Sequence, residues 1–80
     1  MKEIDVYFKL KGRTGEEHFL LKKPEGWLFI TDYSIRVIYD SDKLVAIDPA
    51  GGPYLSIGTD ICGNIIKKFE IISNKVFIKF

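Results

Sequence analysis

Cysteine is nearly absent from this 80-residue chain: Cys62 stands alone, so neither an internal disulfide nor a cysteine-based metal cluster can form. Histidine and tryptophan also occur once each, and proline three times. No apolar run approaches the roughly 20 residues that a membrane-spanning helix needs. The opening Met1-Lys2-Glu3-Ile4-Asp5 alternates charged and apolar side chains, which is not the pattern of a signal peptide. These absences exclude a secreted disulfide scaffold and a zinc finger. They lead to the expectation of a cytoplasmic protein without a membrane partner. Repeats, low-complexity tracts and linkers are missing too, so residues 1–80 are expected to form a single β domain.

The helix formers are scarce. Glutamine does not occur, alanine occurs twice and methionine once, whereas Ile, Val, Thr and the aromatics supply 30 residues. β-Branched and aromatic side chains suit a pleated, half-buried surface and lose rotamer freedom in helices. An all-β fold follows. Short apolar segments separated by turn residues predict about seven or eight short strands, closed into a small barrel or wound into a strongly curved antiparallel sheet. A two-layer sandwich with a short helix is the alternative.

Residues 3–11 alternate most clearly, with Ile4, Val6, Phe8 and Leu10 on one face. Residues 16–22 read as the return strand, with Phe19 and Leu21 inward and His18 and Leu20 on the other face. Trp27-Leu28-Phe29-Ile30 is a continuous apolar run. Residues 33–39 and 44–48 suggest a hairpin across an acidic turn. Residues 65–72 and 75–80 suggest a second hairpin across Ser73-Asn74, with Phe69 opposite Ile78 and Ile71 opposite Val76, and with Ile65 and Phe80 on their face. Ile4, Val6, Phe8, Phe69, Ile71 and Ile78 are the expected core. Between the glycines of Gly58-x-x-Ile61-x-Gly63, Ile61 fits a sharp bend that drops one apolar side chain inward. Positive φ is expected at Gly51 or Gly52, and at Gly58 or Gly63.

The segment Asp48-Pro49-Ala50-Gly51-Gly52-Pro53 is the most distinctive stretch. Paired glycines between prolines let backbone N–H groups approach an anion. No lysine follows them, and the phosphate-loop and dinucleotide patterns are absent. With Gly58 further on, the segment resembles one found in small uncharacterised proteins of bacteria and their phages. That resemblance covers about eleven residues; it implies a bacterial or phage source and no particular activity.

Candidate chemistry is sparse. Asp40-x-Asp42 lacks the remaining oxygens of a calcium loop. His18 has no second ligand in sequence, and Cys62 has no histidine near it to act as a base. No nucleophile elbow or carboxylate pair occurs. No enzyme, metal or cofactor is expected. The charge sums to +1, with +2 over residues 1–23, −4 over 24–60 and +3 over 61–80.

Three functions fit these features. The first is a non-catalytic binding or assembly module acting on another protein or on copies of itself, with Leu20, Ile66, Ile72 and Phe77 as interface residues, because alternation places them on exposed faces. The second is a phage-encoded protein that sequesters a small anionic ligand such as a nucleotide, through Arg36, Asp48, Gly51, Gly52 and Tyr54. The third is a barrel that binds single-stranded nucleic acid through Lys9, Lys68, Lys75 and Lys79, interleaved with aromatics.

Overall fold

The computed structural model describes residues 6–12, 15–49 and 54–80. Strands β1 (Tyr7–Lys11), β2 (Glu17–Lys23) and β3 (Gly26–Thr31) are followed by β4 (Ile35–Asp40) and β5 (Lys43–Pro49). Then come β6 (Leu55–Ser56), β7 (Asp60–Ile61), β8 (Asn64–Ile65), β9 (Lys68–Ile72) and β10 (Lys75–Lys79). The described residues contain no helix. The all-β expectation therefore holds.

The barrel does not. The strands form a five-stranded sheet in the order β1-β2-β3-β10-β9, a three-stranded sheet β4-β5-β6, and the small pair β7-β8. Each sheet ends in strands paired on one side only, so the sheets are open. Among the described residues the number of strands rises to ten, because β6, β7 and β8 have two residues each, too short to show an alternation. All pairings are antiparallel.

One core joins the two larger sheets. Leu20, Phe29, Phe69, Val76 and Ile78 from the first sheet meet Ile47 and Leu55 from the second, with Ile61 and Ile66 from the bend between them. Phe8 and Leu10 pack against this cluster, as alternation in the first strand requires. The strand that follows is turned over relative to expectation. Phe8 stands opposite Leu20 and Leu10 opposite His18, so these pairs share the inner face. His18 and Leu20 are fully buried, while Phe19 and Leu21 face outward. Alternation gives two faces but not which one is inner; the loop length fixes that, and one residue more or less exchanges them.

The last hairpin has the expected register, with Phe69 opposite Ile78 and Ile71 opposite Val76. Ile71 is nevertheless 43% exposed, and Val6 57%. Both belong to the edges of the first sheet, where a strand has a neighbour on one side only. Ile65 is also exposed, because it sits opposite Asp60 in the small β7-β8 pair while its neighbours Ile61 and Ile66 turn inward. Ile4, Gly51 and Gly52 lie outside the described residues.

Tight turns set these registers. Gly63 and Gly58 have positive φ as expected, and so do Cys62, Ser73 and Asn74. Two successive positive φ values, at Cys62-Gly63 and again at Ser73-Asn74, match the twist of flanking strands and are the mark of two-residue type I′ hairpins. The Asp60 carboxylate accepts the Gly63 N–H at 2.8 Å and steadies the first of them. Ile66 is then held inward by two backbone bonds, its N–H to Thr59 and its carbonyl to Gly58.

Leu20→Ala and Ile78→Ala should each cost about 2–5 kcal/mol, since both side chains are fully enclosed. Ile71→Ala should cost well under that; urea denaturation distinguishes the two groups. Asn74→Gly should raise stability by up to about 1 kcal/mol in the same assay, because glycine tolerates the positive φ of that turn without strain.

Candidate functional site

An antiparallel sheet with one face on the core ordinarily turns a polar face to water. The first sheet departs from this. Tyr7, Leu21, Leu28 and Phe77 form one continuous row across β1, β2, β3 and β10 on its outer face. Phe19 and Ile30 form the adjoining row beside Lys9. Tyr7 and Phe19 meet edge to face, with ring centroids 5.8 Å apart. Together with Leu21 and Ile30 they line a shallow apolar hollow of about 240 Å³. Tyr7 is 54% exposed and Ile30 38%.

Charge of both signs rims this surface. Lys9 lies 3.5 Å from Glu17, and Glu70 receives Lys79 at 3.0 Å and Lys68 at 3.6 Å. Hydrogen bonding from Lys79 holds the Glu70 carboxyl below its usual value, against partial desolvation, so it stays ionised where the lysines need it. Lys9, Lys68, Lys75 and Lys79 all fall on this outer face by register. Three of them have a carboxylate partner, which leaves little for a phosphate track.

The interface residues expected from alternation divide. Leu20 and Ile66 are buried in the core and offer nothing to a partner. Phe77 does lie on the outer face, but only 5% of it is exposed, so it forms the floor of the patch rather than its contact surface. Ile72, 37% exposed, remains available on the same face, opposite Lys75. Tyr7 was expected on a wet face, but Phe19, Leu21, Leu28 and Ile30 were not foreseen as a surface. Their signal was present in the runs Phe19-Leu20-Leu21 and Trp27–Ile30, since a strand covered on both faces is apolar without interruption.

Of the expected anion ligands, Arg36 and Asp48 stand directly opposite each other on β4 and β5, and the guanidinium donates to the carboxylate at 2.7 Å. Continuing the β5-β6 register by one residue puts the exposed Tyr54 in line with Asp48. Three of the five thus share one row. Within it Asp48 already offsets the charge of Arg36, and an anion would have to displace that carboxylate.

His18 is the other unusual residue. Its ring is fully buried, stacked on Phe29 at 5.5 Å and met edge-on by Tyr33 at 5.9 Å. Nδ1 lies 2.7 Å from the Thr31 hydroxyl, which also accepts the Tyr33 N–H at 3.2 Å. Nε2 has no partner. The network pins the point at which the chain leaves the first sheet for the second. Among the described residues no group of three or more His, Cys, Asp or Glu side chains is placed to hold a metal ion.

Fold and surface together define an open, all-β protein with an apolar sheet face left uncovered by the described residues. Comparison with protein-family models, with curated proteins and with solved structures finds no match.

Thr31→Val should destabilise the fold by about 1–3 kcal/mol, because it leaves the second ring nitrogen of a fully enclosed imidazole without a partner. Thermal unfolding followed by circular dichroism measures the loss.

Proposed function

We propose that this chain is a non-catalytic assembly module that pairs with a second copy of itself through the outer face of the first sheet. One observation carries the reading. The three central strands β2, β3 and β10 bear apolar side chains on both faces, yet the second sheet covers only one of them. Two sheets stack face to face at about 10 Å, and such stacking would bury Tyr7, Phe19, Leu21 and Ile30. Moving such a side chain from full exposure to full burial is worth about 1.5–3 kcal/mol, and each would gain the share that its present exposure leaves.

The rim favours a second copy over a partner of one charge. It carries Lys9, Lys68, Lys75 and Lys79 together with Glu17 and Glu70. A two-fold axis through the patch brings lysines of one copy toward glutamates of the other, and a self-complementary surface is what a closed symmetric dimer requires. The small size of the chain adds to the argument, since an 80-residue domain buries only a modest share of its surface alone.

Sedimentation equilibrium at micromolar concentration should give a mass near twice 9.2 kDa. Ile30→Asp should return it to the monomer value. Tyr39→Asp, at a residue 52% exposed on the second sheet, should leave the dimer intact. A wild-type mass of one chain, or dissociation by the Tyr39 substitution and not by that of Ile30, overturns the proposal.

A further inference from the structure

The inner face of the first sheet is not covered along its whole length. One row across it runs from Phe69 through Ile78 and Trp27 to Lys22. Ile78 is fully buried, Trp27 half-buried and Lys22 exposed, so the cover of the second sheet ends within this row. At the open end Trp27 is flanked by two more half-buried rings, Phe8 at 5.5 Å and Phe80 at 6.2 Å between centroids. A cleft of about 270 Å³ opens here, lined by Lys22, Trp27, Ile78, Lys79 and Phe80 and closed by the turn at Pro24-Glu25.

Two properties separate this cleft from the outer face. Its aromatic wall is Trp27, whose orientation is steadied by a tilted contact with Phe8 and an edge contact with Phe80. Of the three lysines that line it, Lys22, Lys23 and Lys79, Lys22 has no carboxylate within ion-pair distance among the described residues. Lys79 lies at the rim but is already bonded to Glu70. A flat aromatic surface beside an uncompensated ammonium suits a planar ring that carries a phosphate. Base stacking on aromatic side chains next to a cationic track is how single strands are held without sequence preference.

We infer that this cleft is a binding site for a nucleobase with its phosphate, the base stacking on Trp27 and the phosphate meeting Lys22. Both a free nucleotide and a single-stranded oligonucleotide carry that chemistry. Glu25, the acid at the mouth, opposes the phosphate and limits affinity. The site lies on the opposite face of the sheet from the proposed dimer contact, so the two readings stand or fall separately.

Trp27 is the sole tryptophan, so its fluorescence reports this cleft alone. The wild-type protein is titrated with an oligothymidylate of about ten nucleotides and, separately, with adenosine monophosphate; binding in the micromolar range is the order expected of weak, mainly electrostatic contacts. Saturable quenching is expected. For the single phosphate contact at Lys22 the strand affinity should fall roughly two- to threefold between about 50 and 200 mM salt. Lys22→Glu should weaken binding several-fold and Glu25→Gln should strengthen it; both positions are exposed, so the fold is spared. Quenching by the oligonucleotide alone assigns the site to strands, and equal quenching by the mononucleotide assigns it to free nucleotides. If neither ligand quenches, or if both substitutions leave the affinity unchanged, the inference is overturned.

Discussion

Three adjacent strands that are apolar on both faces constrain everything else in this molecule. β2, β3 and β10 supply the inner residues Leu20, Phe29 and Ile78 and the outer residues Leu21, Leu28 and Phe77. Among the described residues, the second sheet supplies one cover, and that cover lies over the inner face. Ile47 and Leu55 close the middle of the inner face, and Ile61 and Ile66 fill the space left by the bend. Among the described residues the outer face has only its own packing: Phe77 is only 5% exposed, while Tyr7 and Ile30 remain open to water. The hydrophobic effect gives such a surface a standing tendency to be covered.

The position of the cover depends on a few polar contacts at the crossing between the sheets. Thr31 is the last residue of β3, and its hydroxyl joins the His18 ring to the Tyr33 backbone. This fixes the exit direction of the chain before β4 begins. At the other end, the Ser56–Thr59 contacts and the Gly58 and Ile66 backbone bonds return the chain from β6 toward β9. Nε2 of His18, without a partner among the described residues, is a cost inside this arrangement. Stacking on Phe29 and the bond to Thr31 offset it.

Electrostatics distinguishes the surfaces that sequence alone would treat alike. The lysines of β1, β9 and β10 look like a cationic track when read along the chain. In space, Glu17 and Glu70 sit among them and convert the track into a mixed rim. Arg36 is likewise compensated by Asp48 across the β4-β5 pair. Lys22 is different because its row partner is Trp27, an aromatic ring, and among the described residues no carboxylate is within ion-pair distance of it. An uncompensated charge beside a flat ring is a different chemical object from a lysine in a salt bridge.

The sequence by itself determined the β class, the positions of most turns, the inward bend at Ile61 and the register of the last hairpin. These are local properties: side-chain shape, glycine at positive φ and a two-residue loop act over a few neighbouring residues. It also held, in the unbroken runs Phe19–Leu21 and Trp27–Ile30, the sign of strands covered twice. What it could not settle was parity. Whether His18 and Leu20 or Phe19 and Leu21 face the core depends on the loop joining β1 to β2, and alternation is the same either way. Only the tertiary structure decided that, and with it which apolar residues of β2 remain on the surface. Sheet closure was likewise beyond local reading, because it depends on where the ends of distant strands lie: β10 inserts between β3 and β9, leaving β1 and β9 as open edges. The ion pairs joining Glu70 to Lys79 and Asp48 to Arg36 are set by the same long-range pairing, so the candidate sites became visible only when the strands were placed side by side.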